Sequence, residues 1–310
     1  MKLRNILIPF LLWLLPLVLL AATPQKQSYT FANRDAQQLQ LDVYTTVADT
    51  SASLQQQPCL MFVFGGGFKE GTRDAELYND YFHYFANRGF TVVSIDYRLG
   101  MKGEKAPSMF NYKPMEKSIA LAVEDLYAAT DYLLKNAEEL HIDPTQIIIS
   151  GSSAGAIAVL QADYEKRNSF ESTKALSATF QYAGVIAFSG SIFSHEGTPS
   201  YPIAPAPTLL FHGSADKLVP YNNNRFFHIG MFGSNTLAKE FRKNEYPYLF
   251  YSMEGEGHDV SEYPMTDFLP EIEQFITDYV FDKKQLLIDI NYRDKNRIPK
   301  QSDSPADYYK

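Results

Sequence analysis

Short, almost unbroken apolar runs alternate with longer amphipathic stretches through most of the chain. Residues 28–46 read as two short strands, with alternation clearest at Leu39, Leu41 and Val43. "CLMFVF" (59–64) is continuously apolar over a strand's length, the pattern of a strand buried on both faces, and it ends on Gly65, Gly66 and Gly67. A helix is expected over 77–88, stopped by Gly89, and another buried strand over 90–100. The clearest helix spans 113–140, where Ile119, Val123, Leu126, Leu133 and Leu134 keep near 3.6-residue spacing. "TQIIISGSSAGAIAVL" then reads as strand, turn and helix. Residues 182–190, 206–216 and 246–258 each look like a strand running into a loop, and 271–281 like a last helix. "QLLIDINY" is a strand-like piece before a polar tail expected to be loosely ordered.

Near-continuously apolar strands alternating with helices predict an α/β domain: a mostly parallel central sheet with helices on both faces. In such sheets sites gather beyond the carboxyl ends of the strands, and every unusual motif in this chain lies at such an end. Nothing in the pattern suggests a repeat or a linker. One domain over 23–282 is expected, with a partly disordered extension at 283–310.

Composition narrows the chemistry. The 310 residues are 45% hydrophobic and 21% charged, enough for a sizeable core. A formal charge of -8 argues against a nucleic-acid partner, which requires a basic face. No metal-ligand spacing occurs, so neither metal nor cofactor is expected. Lys2 and Arg4 precede a mostly apolar run (6–20) interrupted by Pro9 and Pro16 and followed by Ala21 and Ala22. That order reads as a secretory signal peptide over 1–22, with an uncleaved anchor as the alternative. After cleavage no stable membrane insertion is expected. Cys59 is the only cysteine, so no intrachain disulfide can form, and a secreted or periplasmic bacterial protein fits best.

The stretch "GSSAG" (151–155) matches G-x-S-x-G between a strand and a helix, which puts Ser153 at the apex of a sharp turn. A tight structural turn is the plainer alternative; Ser152 lies one place too early to be aimed outward. Serine needs a base to become nucleophilic. Of the six histidines, His83 and His141 fall in or beside helices, and His195 and His228 in irregular stretches. His212 ends a strand and suits a structural hydrogen bond. His258, late in the chain within "EGEGHD", is the candidate base. Asp216, in "HGSADKLVP", is the candidate carboxylate to orient it, preferred over the adjacent Asp259. The order Ser153, Asp216, His258 is the one that follows a nucleophile elbow. Backbone amides for a developing oxyanion would come from Ala154 and from the glycine loop. A phosphate-binding reading of that loop fails, because neither GK[ST] nor GxGxxG spacing is present.

With these residues in place, the chain resembles the α/β-hydrolase superfamily on its carboxylesterase side, from about residue 38 to 281. "FVFGGGFKEG" and "VVSIDYRLG" resemble the GGGF and YRLG segments of type-B carboxylesterases and cholinesterases. "ISGSSAGA" resembles their elbow and that of the hormone-sensitive-lipase group; "HGSADKLVPY" is similar to the Asp loop of smaller bacterial esterases and prolyl-oligopeptidase-like hydrolases. The resemblance implies oxyanion amides from Gly66 and Gly67. Phe64 stands where many lipase-like members carry His, and Ala156 where Gly is common. Type-B members are longer, usually use Glu as the acid and carry disulfides. Size, export and little or no cap domain are more similar to secreted bacterial carbohydrate esterases, such as acetylxylan or feruloyl esterases. The resemblance thus implies a serine esterase acting through an acyl-enzyme on a small-molecule or carbohydrate ester. A prolyl-oligopeptidase-like peptidase and a non-catalytic binding protein are the alternatives. Phe68, Phe110, Phe193 and Tyr201 are candidates to line an open cleft, with plain packing the commoner role for each.

Overall fold

The computed structural model describes residues 23–46, 56–108 and 110–310; the signal-peptide segment lies outside them. In chain order the elements are β1 (Gln25–Arg34), β2 (Gln37–Thr45), β3 (Gln57–Val63), α1 (Asn79–Ala86), β4 (Thr91–Ile95), α2 (Lys113–Lys135), β5 (Ile142–Ser152) and α3 (Ala154–Arg167). They continue with β6 (Gly184–Phe188), β7 (Ser191–Ser194), β8 (Thr208–Gly213), β9 (Asn223–Phe226), β10 (Ile229–Gly233) and α4 (Ser234–Lys243). The last are β11 (Tyr248–Met253), α5 (Pro264–Asp267), α6 (Leu269–Phe275), β12 (Leu287–Tyr292) and α7 (Pro305–Tyr308).

The main sheet has nine strands in the order β1-β2-β4-β3-β5-β6-β8-β11-β12. β1 and β2 join antiparallel at one edge, and every pairing from β4 to β12 is parallel. The apolar runs fall where that geometry demands them: β4, β6, β8 and β11 are buried at every position. Register aligns their carboxyl ends. Val63 pairs with Gly151, Ser152 with Phe188, and Gly213 with Met253. The loops that follow β3, β5, β8 and β11 therefore emerge on one edge of the sheet, although up to 190 residues separate them along the chain.

Helices cover the sheet by their apolar stripes. α2 starts with Pro114 in its first turn and buries Ile119, Val123, Leu126 and Leu133; it is shorter than the periodicity implied, ending at Lys135 rather than near residue 140. Tyr127 on α2 donates to the Ala162 carbonyl of α3 at 2.8 Å, locking the two helices together. α1 sets Phe82 edge-on against Phe62 of β3, with centroids 5.2 Å apart. Behind the "YRLG" segment, Arg98 forks onto the fully buried Asp125 at 2.8–3.1 Å. That arginine is a structural clamp. Burial raises the Asp125 pKa above its usual value even so, with Arg98 opposing the rise.

Three features depart from the sequence pattern. A second sheet of β7, β10 and β9 stands beside the carboxyl edge, built from strands of four or five residues, too short to show a period. Among the described residues no separate cap domain covers the edge; this small sheet walls it on one side. The main sheet also extends beyond residue 282, because β12 adds in parallel to β11. The polar tail then packs instead of trailing: Arg297 stacks over the Tyr263 ring at 3.5 Å, and Ser302 is buried.

Candidate active site

The small residues of the elbow answer to close backbone approach. A methyl group on Gly155 would sit 1.9 Å from the Val63 carbonyl oxygen, and one on Gly151 would strike Gly155. With both absent, β5 can turn abruptly into α3. Ser153 at the apex holds φ 50° and ψ -113°, a left-handed strain that typically costs about 1–3 kcal/mol. Its amide is fixed by the Phe188 carbonyl at 2.8 Å.

The strained serine meets the loops from β8 and β11. Ser153 Oγ lies 2.8 Å from His258 Nε2, and His258 Nδ1 lies 2.7 Å from Asp216 Oδ2. With Nδ1–H donating to the carboxylate, Nε2 is left free to accept from the serine hydroxyl, a tautomer assigned from these neighbours. The three residues that the sequence singled out are thus brought together, and Asp216, not Asp259, is the partner of Nδ1. Asp216 has no exposed side-chain surface. Its Oδ1 accepts from the amides of Leu218 (2.9 Å) and Val219 (3.1 Å), and His212 Nε2 stands 3.4 Å from Oδ2. Burial alone would raise its pKa; hydrogen bonds from His212 and His258 outweigh that and hold the carboxyl well below its usual range. His212, itself buried and bonded to Ser234 Oγ at 2.8 Å, serves the structural role its strand position suggested.

The glycine loop faces the serine. Gly66, Gly67 and Phe68 follow one another with φ of 117°, 61° and 56°. The turn is pinned by Lys69 and Glu70 amides on the Gly66 carbonyl, both at 3.0 Å, and by the Gly65 amide donating to Tyr78 Oη at 3.0 Å. Gly67, Ala154 and Ser153 all border one cavity of about 160 Å³. Among the described residues no acceptor engages the Gly67 or Ala154 amide, so both are available to a negatively charged oxygen placed beside Ser153.

The cavity is otherwise mostly apolar, lined by Phe68, Met115, Ile157, Phe193, Ile229 and Met231 among others. Two of the four anticipated aromatics belong to it. Tyr201 does not: it packs into an aromatic cluster with Tyr164, Phe241 and Tyr246 at 5.4–6.0 Å. Phe110 does not either, being 92% exposed just beyond Pro107 and Ser108, which do line the cavity. Sequence reasoning missed several contributors. Ser152, set aside as nucleophile, ties the elbow to the histidine loop by donating to the Ser261 carbonyl at 2.8 Å. Tyr78, Pro305 and Tyr309 were also missed; only the aromatic pair in the tail's "ADYYK" hinted at burial there. No group of three His, Cys, Asp or Glu side chains among the described residues is placed to hold a metal.

Comparison with known proteins places this arrangement. The BD-FAE family model matches residues 41–193, about half of the chain, from β2 through the glycine loop and the elbow to β7. An esterase from Thermogutta terrifontis, solved with butyrate bound, superposes with a TM-score of 0.60 over 83% of this chain and 95% of its own, at 22% identity. The chain has the α/β-hydrolase fold and is similar to carboxylesterases within it. Gut esterase 1 of Caenorhabditis elegans is 31% identical over 34% of this chain, and fumonisin B1 esterase of Sphingopyxis macrogoltabida 32% over 33%. Lipase 2 of a Moraxella species is 29% identical over 42%. This α/β-hydrolase spans 18%, 19% and 27% of those three relatives' lengths. The family model stops short of Asp216 and His258, so the completeness of the hydrogen-bonded set rests on the geometry.

Proposed function

We propose that the chain hydrolyses carboxylic esters through an acyl-enzyme on Ser153. The observation that carries this is the unbroken line of hydrogen bonds from Ser153 Oγ through His258 to a buried carboxylate, 2.8 and 2.7 Å long, beside unengaged backbone amides. In this reading Ser153 Oγ attacks the ester carbonyl carbon as its proton passes to His258 Nε2. Asp216 holds the imidazole in its tautomer and stabilises the imidazolium. The amides of Gly66, Gly67 and Ala154 receive the oxyanion, where one such donor typically contributes about 3–4 kcal/mol to the transition state. Collapse passes the proton from His258 to the leaving alkoxide. Water, deprotonated by the same imidazole, then releases the acid and restores the serine.

Substrate shape follows from the walls. A cavity of about 160 Å³ falls below the roughly 300–1,000 Å³ of sites for drug-sized ligands and suits a short acyl group. Phe226, exposed and part of the cavity lining, offers an apolar face on which a bulky alcohol such as a sugar chain can stack. Among the esters of plant polysaccharide, acetyl esters fit this cavity better than feruloyl esters with their longer aromatic acyl group, and export past the inner membrane would bring the enzyme to such substrates. A panel of p-nitrophenyl esters, acetylated xylan, methyl ferulate and aminoacyl amides tests the reading. Turnover of short esters that Ser153→Ala abolishes supports it. Turnover of amides alone, or of nothing, refutes it.

A further inference from the structure

The glycine loop poses a problem that its own chain segment does not solve. Three successive residues with positive φ, two of them glycine, have much conformational entropy to lose, and oxyanion donors must stand still to be useful. On either side of Gly67, the Gly66 carbonyl is held within the loop, the Gly65 amide by Tyr78, and the Phe68 carbonyl by the Met101 amide at 2.9 Å. The Gly67 carbonyl is anchored from the other end of the chain: Tyr309 Oη donates to it at 2.7 Å. Burial, with Tyr308 adding to it, raises the Tyr309 pKa, which keeps the hydroxyl a donor.

The contacts on either side of this one form a continuous strap. Lys69 Nζ donates to the Tyr308 carbonyl at 3.1 Å and sits over the Tyr308 and Tyr309 rings at 5.2 and 5.8 Å. Tyr308 Oη donates to Glu70 at 3.1 Å. Farther back, Ser302 Oγ donates to Asp216 Oδ1 at 3.3 Å while accepting from the Lys217 amide at 3.0 Å. The fit is close: a methyl group on Gly67 would lie 2.5 Å from the Tyr308 ring and 2.9 Å from Tyr309 Oη. Pro305 and Tyr309 also form one wall of the cavity.

We infer that residues 302–309 are a working part of the ester-hydrolysing site, with Tyr309 as the positioning residue of the oxyanion loop and, together with Pro305, the limit on acyl length. The inference rests on the proposed function. Tyr309 touches no reacting atom; it fixes the Gly67 peptide plane, and with it the direction in which the loop's amides point. Its ring stands where a longer acyl chain would extend.

The test compares wild-type full-length protein with Tyr309→Phe and Tyr309→Ala on p-nitrophenyl esters from acetyl to octanoyl, with thermal melting of each. Tyr309→Phe keeps the ring and removes only the hydroxyl. It is expected to lower kcat on the acetyl ester about tenfold with KM within about twofold, the signature of an interaction felt in the transition state. Tyr309→Ala is expected, in addition, to raise the octanoyl-to-acetyl ratio of kcat/KM by about tenfold as the wall opens. A Phe variant with wild-type kcat and an Ala variant with an unchanged chain-length profile would overturn the inference while leaving the esterase reading intact. Wild-type protein inert toward every ester would overturn both.

Discussion

Asp216→Asn isolates the electrostatic half of the site while keeping its shape. Oδ1 receives two backbone amides, from Leu218 and Val219, which cannot reverse their polarity. The new NH2 must therefore take the Oδ2 position, facing His258 Nδ1 and His212 Nε2. To accept from that NH2, His258 has to surrender the Nδ1 proton and carry it on Nε2, where it can no longer take the proton of Ser153. Wrong-tautomer substitution of this kind costs about 10⁴ in kcat, equivalent to about 5.4 kcal/mol at 1.36 kcal/mol per decade. Folding should suffer much less. The exchange weakens charge-assisted hydrogen bonds without leaving a cavity, a loss of about 1–3 kcal/mol. Steady-state kinetics on p-nitrophenyl acetate and a calorimetric melt of the same preparation separate the two effects. A fall in kcat below about 10², with a wild-type melting curve, would refute the tautomer argument.

Two further outcomes follow from the same geometry. Gly155→Ala sets a methyl 1.9 Å from a main-chain oxygen in a central strand, where nothing can yield, and should give no soluble folded protein. Gly103→Ala, with open space around it and φ of 80°, should fold normally at a cost of about 1–2 kcal/mol; equal yields of the two variants would contradict this. The depressed Asp216 carboxyl contributes stability above the unfolded carboxyl's ordinary pKa, near 4, and that contribution is lost as pH falls through the lower folded value. Denaturant melts between about pH 6 and pH 2 should therefore show wild type losing stability more steeply with acid than Asp216→Asn, whereas parallel curves would count against the linkage.

What the sequence showed and what it hid have physical reasons. The parallel strands were legible because burial on both faces forces runs such as "CLMFVF" to be apolar throughout. The elbow was legible because no other residues fit where Gly151 and Gly155 pack. Once strand order is granted, the carboxyl-edge rule puts Ser153, Asp216 and His258 along one edge, within four consecutive strands, without any knowledge of side chains. The small sheet was not legible, since a strand such as "NNRF" in β9 is exposed at every residue and carries no apolar pattern. Phe110 and Tyr201 show the limit of composition: an aromatic ring suits a cleft, a core cluster or a solvent-facing loop equally well. The tail was hidden for the opposite reason. Its polar residues spend their hydrogen bonds on the site, Ser302 on Asp216 and Tyr309 on Gly67, and only a folded partner reveals that use.

Ester hydrolysis at this site requires that the hydroxyl of Ser153 be made nucleophilic by the groups around it. Incubating the purified protein with an organophosphonate and recording intact mass, followed by peptide mapping, tests this most directly. One adduct per chain is expected on Ser153, absent in Ser153→Ala and formed far more slowly in His258→Ala. An unchanged mass, or an adduct carried by another residue while Ser153 stays free, would contradict it.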